Sequence, residues 1–544
     1  MHLGGRLNSR LVGYANRFTS TIYHESASGL TSFVLLMLRI GLLLGGFLIL
    51  DRWLLRISQM PQSSYFEPVI VIEFIRQLGL FHVILAGLPV LLLSFRNQLW
   101  RGWSDDMQPI RFLIGFVCLL LAWWFGTYDY NLFFNQGHFI DRTLIVAFAL
   151  LVIWKPAFVL PFLLVLLPVI WQFNYPIGGY SITQVILPLN VLKLFFVTFI
   201  AQIVTGHHRY TDFIYLTFCL IGASYLAPGL GKIQLGWISY PHLDLLFLSS
   251  YAVGWLGFIA PEQAGPLGAE LARFDWLLIV FTLVAECGGL LALWNRRILL
   301  IWLIVLVALN TGILLTSGIL FWTWIAINLC LFFLILTRGH FAIFQIFSWN
   351  HFALAPAVMF AGIFIFRPTN LSWYDVPVSY TYRLEAHTDN DQWTTLPTQF
   401  FGQYETQFTL NSFGYLVDSP RLGIVWGATR DQAIADALLA AKTSDDVWSV
   451  EQALGRNEYD PVMANQFETF IAGYVHNFNQ RQSMTTPFSW LRAPRQVWTF
   501  GSDAVFNNQP TIDRVDVYQI TSFFDGTEFA EIRRNLVREI IVPI

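Results

Sequence analysis

For its first two thirds the chain alternates long apolar runs with short polar breaks. Runs over residues 33–50, 78–93, 110–126, 144–154, 156–171, 186–204, 211–227, 276–294, 298–315, 318–337 and 352–366 each read as a helix. Most approach the ~20 apolar residues that a membrane crossing needs. Pro156 interrupts the backbone ladder, so the runs on either side of it are two short helices or one broken one. The total is therefore about nine to eleven crossings. The apolar run over residues 243–260 is followed by "APEQAGPLG", which suits an interfacial or re-entrant segment. Beyond residue 366 the pattern changes. "SWYDVPVSYTYRLEA" alternates as a strand does, and "ATRDQAIADALLAAK" and "PVMANQFETFIAGYVHNF" repeat at helical spacing. "TIDRVDVYQITSFFDG" reads as a strand entering a turn at Asp525-Gly526. The expected fold is an α-helical polytopic membrane protein with a C-terminal α+β domain. Residues 1–32 form an N-terminal segment, 33–366 the membrane domain and 367–544 a water-facing domain.

Composition agrees with this division. Only 12% of residues are charged, about half the ~25% of a soluble domain. Residues 1–366 hold 19 basic and 14 acidic side chains, and the remainder 13 and 21. An acidic tail offers no basic patch for nucleic acid. All four cysteines, Cys118, Cys219, Cys287 and Cys330, lie in apolar runs, so the tail has neither a disulfide nor a thiolate metal site. His387 and His476 have no ligand-spaced partners, and no metal is expected. Phosphate loops and Gly-x-Ser-x-Gly elbows are absent.

Arg6, Arg10 and Arg17 precede the first run without a cleavable signal, which places the N-terminus in the cytoplasm. With eleven crossings, Arg96, Arg101, Arg111, Lys155, Arg209, Arg296, Arg297 and Arg338 share that side. The tail and Lys232 then lie outside the cytoplasm. The membrane is a bacterial inner membrane or a eukaryotic endomembrane. The expected partners are the lipid bilayer and a protein at the C-terminal domain, and that domain either docks this partner or caps the outer mouth of the helices.

A charge deep in a helix costs at least ~2.5–3.5 kcal/mol on insertion scales. Arg39 in "LLMLRIGLLLGG", Lys193 in "LPLNVLKLFF", Lys232 after "APGLG" and Glu286 in "LIVFTLVAECGG" carry that cost. Each has a structural explanation: Arg39 and Glu286 pair with each other, and Lys193 snorkels to the surface. His138, in the loop "NLFFNQGHFIDR", is by itself an ordinary loop histidine. Lys232 differs because the chain has only four lysines, at 155, 193, 232 and 442. Arginine stays protonated, whereas a desolvated lysine can lose its proton near neutral pH.

"YLAPGLGKIQLGW" resembles the Tyr-x-x-x-Gly-x-x-Lys-x-x-x-x-Trp signature of the vitamin K-dependent gamma-carboxylase family, which includes the bacterial HTTM domains. Tyr225, Gly229, Lys232 and Trp237 match it in order and spacing. Arg39 in "MLRIGLLLG" resembles the arginine of the family's first helix. "NQGHFID" is similar to its Asn-His-x-Tyr-Leu loop, with His138 as the histidine. Glu286 stands where members often place an acid. The resemblance covers roughly residues 30 to 340. It implies a lysine base that deprotonates a reduced quinone. Oxygen then attacks, and the strong base so formed takes a proton from a substrate glutamate, which captures CO2. On this reading Lys232 and His138 are catalytic, Tyr225, Trp237, Glu286 and Arg39 bind substrate, and the cofactor is a reduced, vitamin K-like quinone. The family also has a later histidine, and no histidine occurs between Arg297 and Arg338.

Two functions follow. One is a membrane enzyme, a carboxylase-like lyase or quinol-coupled enzyme, with Lys232 as general base and His138, Glu286 and Arg39 around it. The other is a non-catalytic scaffold or accessory subunit that docks through its C-terminal domain. A transporter would call for an inverted repeat, which the sequence does not show.

Overall fold

The computed structural model describes residues 29–79, 102–128, 130–177, 183–205, 210–481, 489–500 and 511–543. The apolar runs form helices α1 (Leu30–Ser58), α2 (Gln108–Gly126), α3 (Phe139–Trp154), α4 (Val159–Asn174), α5 (Thr183–Thr205) and α6 (Thr211–Gln234). They continue with α7 (Asp275–Cys287), α8 (Arg296–Ser317), α9 (Trp322–Arg338) and α10 (Trp349–Phe366). Among the described residues, seven helices are long and apolar enough to cross a membrane. The run expected over residues 78–93 lies almost wholly outside the described residues, as does most of the N-terminal segment 1–32.

Three boundaries differ from expectation, and each moves a charged residue. The helix expected over 211–227 runs on through Pro228 to Gln234, so Lys232 lies in its last turn rather than beyond it. The run 276–294 breaks after Cys287, at Gly288, so Glu286 ends a helix instead of sitting in the middle of one. The first helix continues past residue 50 and takes in Asp51. Lys155 is extended (φ −142°, ψ 130°), so α3 and α4 are separate helices. The run behind them, Leu243–Ala252, is a ten-residue helix, about half the length of a crossing.

Helix α6 forms the centre of the bundle, with 94% of its most apolar window buried. The C-terminal part is built on a four-stranded antiparallel sheet in the order β3-β2-β5-β6. Its strands are β2 (Val378–Thr388), β3 (Trp393–Leu396), β5 (Ile512–Phe524) and β6 (Phe529–Ile541). Leu384 faces Val517 across the central pair. A small second pair joins β1 (Tyr374–Asp375) to β4 (Ala428–Thr429). Helices α11 (Gln432–Ala440), α12 (Ser444–Leu454) and α13 (Pro461–Arg481) complete this part. The aromatic side of α13, with Phe467, Phe470 and Tyr474, packs with Phe401, Phe408 and Val517 into one apolar core.

The two parts meet along several seams, two of which frame the loop before α3 and the end of α6. Leu132 of the loop before α3 joins the C-terminal core. Asn131 Nδ2 donates to Tyr404 Oη at 3.1 Å, and Phe133 packs on Phe470 with ring centroids 5.0 Å apart. The second seam lies at the end of α6, where residues 370–375 rest against the turn that holds Lys232.

Candidate functional site

The sequence "APGLGK" is explained by what surrounds it. A Cβ on Gly229 would come within 3.0 Å of Glu286 Cβ and 3.1 Å of Cys287 Sγ. A Cβ on Gly231 would overlap Ser372 Oγ and lie 2.9 Å from Asn370 Oδ1. One glycine thus admits α7, and the other admits the segment leading into the C-terminal part. Lys232 is held between them and is only 8% exposed. Its Nζ donates to Glu286 Oε1 at 2.5 Å. The same ammonium lies 5.2 Å from the centre of the Trp237 ring.

Trp237 leads on to a second polar group that the sequence did not reveal. Its ring lies 4.0 Å from that of His242. His242 Nε2 donates to Trp237 O at 2.8 Å, and Nδ1 lies 2.9 Å from Asp375 Oδ2. Asp375 Oδ1 also accepts from Trp373 Nε1 at 3.1 Å. The Asp275 carboxylate at the start of α7 accepts from the backbone N–H groups of His242 and Leu243. Burial pushes the Asp375 carboxyl up, while its hydrogen bond and charge interaction with His242 pull it back. Nε2 gives its hydrogen to the carbonyl, so Nδ1 is the ring atom that faces Asp375. This pair joins the helical part to β1. The tell-tale residues, a loop histidine and the aspartate of "SWYDVP", stand 133 positions apart.

Two buried polar atoms at this site have no hydrogen-bond partner among the described residues, Glu286 Oε2 and Trp237 Nε1. One is an acceptor and the other a donor.

Of the residues expected to act together, Lys232, Glu286 and Trp237 form one cluster. Tyr225 lies two helical turns before Lys232 on the same face, roughly 10 Å along the axis. Its hydroxyl accepts from Asn310 Nδ2 at 2.7 Å and Asn328 Nδ2 at 3.0 Å. It ties α6 to α8 and α9 beneath the cluster, and neither asparagine was singled out from sequence.

Arg39 belongs elsewhere. It does not pair with Glu286; its guanidinium grips Asp212 at the opposite end of α6, at 2.5 and 2.8 Å. Twenty residues of helix separate Asp212 from Lys232, roughly 30 Å. Lys193 does not snorkel. It is buried and donates to Asp51 Oδ1 at 2.6 Å. The partners of Arg39 and Lys193 were missed because both acids sit where the apolar runs were cut short or begin.

His138 is also apart from Lys232. No hydrogen bond, ion pair or ring contact joins it to Lys232, Glu286 or Trp237 among the described residues. It is buried at the start of α3 in the left-handed region (φ 46°). Its Nε2 faces the Gln172 amide nitrogen at 2.7 Å, and its Nδ1 lies 3.6 Å from Asp141. Held against the Gln172 amide on α4, it packs the loop onto that helix. Among the described residues no group of three or more His, Cys, Asp or Glu side chains is placed to hold a metal ion. No family model, curated protein or solved structure matches the chain.

Proposed function

We propose that the chain is a multi-pass membrane protein in which Lys232 and Glu286 exchange a proton with a lipophilic hydroxyl compound of the quinol class. The observation that carries this reading is the pair of unpartnered buried atoms, Glu286 Oε2 and Trp237 Nε1, beside an ion pair that is already desolvated. The donor set suits a phenolic hydroxyl: its hydrogen meets the carboxylate and its oxygen meets the indole N–H. A quinol supplies a weakly acidic hydroxyl on a lipophilic ring. Lys232, bonded to Glu286 at 2.5 Å, is the general base of this reading, and Glu286 is its partner in holding the proton. The N-terminus is cytoplasmic, about nine to eleven helices cross the bilayer, and the C-terminal part caps the site from the outer side through residues 370–375. Carboxylation of a substrate glutamate is the further step that the family resemblance implies.

One observation favours a scaffold instead: Arg39, Lys193 and Lys232 each have an acid partner on another helix, so all three can serve packing alone. The readings separate with an alkyl-substituted nitrophenol, whose anion absorbs in the visible. At about one unit below the dye's own pKa, the wild-type protein shows the anion band on binding. Lys232→Arg keeps the charge and the fold but lacks the band. An undiminished band in that variant overturns the base role.

A further inference from the structure

The C-terminal part holds a cavity of about 270 Å3 that is separate from the Lys232 site. Its walls include Tyr382, Gly414, Tyr415, Arg421, Gly423 and Glu458. Arg421 is only 4% exposed. Its guanidinium stacks on the Tyr380 ring at 3.9 Å and lies 5.6 Å from that of Tyr382. Its one side-chain hydrogen bond among the described residues runs from Nη1 to Tyr382 Oη. No carboxylate pairs with it there. A buried guanidinium without an acid is costly unless something else meets its remaining N–H groups.

Glu458 lines the same cavity. A Cβ on Gly423 would come within 3.2 Å of Glu458 Oε1, and one on Gly414 would overlap Oε2. Two glycines therefore make room for this carboxylate at the cavity wall, and Gly423 also needs its positive φ of 61°. Arg421 and Glu458 share the cavity without forming an ion pair. Because Tyr382 Oη accepts from Arg421, its own hydrogen is left to donate.

We infer that this cavity is a binding site for a small zwitterion, a free amino acid in chemical class. The carboxylate would lie on the Arg421 guanidinium and the Tyr382 hydroxyl, and the ammonium on Glu458. Guanidinium and carboxylate are geometrically matched, and such charge-assisted bonds are the strong ones. A simple anion would face the Glu458 charge, and a simple cation that of Arg421. The volume of about 270 Å3 lies just below the ~300 Å3 at which drug-sized ligand cavities begin, and this favours a single amino acid over a larger ligand.

The test uses the full-length protein in detergent and calorimetric titration with the common free amino acids, their N-acetyl derivatives and their amides. At least one free amino acid binds saturably, and its two single-charge derivatives bind about tenfold or more weakly. Glu458→Gln weakens the free amino acid by about tenfold and leaves the N-acetyl derivative unchanged. Arg421→Gln removes binding of both. Glu458 is exposed, so its variant folds and decides the matter even if Arg421→Gln does not. Absence of binding by every amino acid, or full affinity in Glu458→Gln, overturns the assignment.

Discussion

Removing one partner of the Lys232–Glu286 pair will destabilise the protein far more than removing both. The side chains are 10% and 6% exposed and meet at 2.5 Å. At an effective dielectric of ~20, two unit charges at that separation attract by about 6–7 kcal/mol. Taking both ions out of water costs several kcal/mol each, so the net value of the intact pair is small. A lone charge left in the same place keeps the desolvation cost and loses the attraction. Glu286→Gln and Lys232→Met should therefore each cost about 3–5 kcal/mol, while the double variant, apolar and polar groups of similar volume, should lie close to the wild type. Denaturant-induced unfolding in detergent, followed by fluorescence, gives all four corners of the cycle. Single variants within ~0.5 kcal/mol of the wild type, or a double variant as unstable as the sum of the singles, would refute a coupled buried pair.

Three further outcomes follow from particular contacts. Gly229→Ala places a methyl group 3.0 Å from Glu286 Cβ, and forcing α6 from α7 should cost about 1–3 kcal/mol in the same assay; a neutral substitution would mean that the helices do not approach there. Asp212→Asn removes one charge of the buried Arg39–Asp212 pair and should cost about 3–5 kcal/mol. Its effect should add to that of Lys232→Met within ~0.5 kcal/mol, since the sites lie at opposite ends of α6, and strong coupling would contradict that separation. In the C-terminal part, hydrogen bonds to Asp513 and then Asp391 hold the His387 imidazole above its ordinary value. The folded-state value is thus the higher one. The stabilisation is fully present below the unfolded value of ~6.5 and is lost as pH rises through the folded value. A titration of the His387 ring by NMR should show the raised midpoint, with Asp513→Asn moving it down; an unshifted midpoint contradicts the bonding.

The helical class and the α+β tail were legible because both rest on periodicity. Apolar runs became helices, and "TIDRVDVYQITSFF" became β5 with its turn at Asp525. Strand β6, "FAEIRRNLVREII", was not anticipated. It is an edge strand, pairs with β5 in the sheet, and is mostly half-buried or exposed, so charge rather than alternation dominates its sequence. The Lys232–Trp237 half of the site was legible because one helix end and the turn after it bring the residues together. The acid side was only half legible. Glu286 stood out as a buried charge, but spacing along a chain does not say which helix its partner occupies. That is why Arg39 was matched to Glu286 rather than to Asp212. His138 was drawn to Lys232 by motif alone, and the Gln172 amide that holds it lies on another helix. His242–Asp375 and Arg421–Glu458 had no local signal, because each arises only when distant segments pack.

The central claim is that the Lys232–Glu286–Trp237 cluster holds a lipophilic hydroxyl compound. It is tested most directly by mass spectrometry of the small molecules that accompany the protein through purification in mild detergent, compared between the wild type and Lys232→Ala. The account predicts a quinone or phenol in the wild type that is lost from the variant. No such molecule in the wild type, or the same amount in both, would contradict it and leave Lys232 as a residue that only ties α6 to α7.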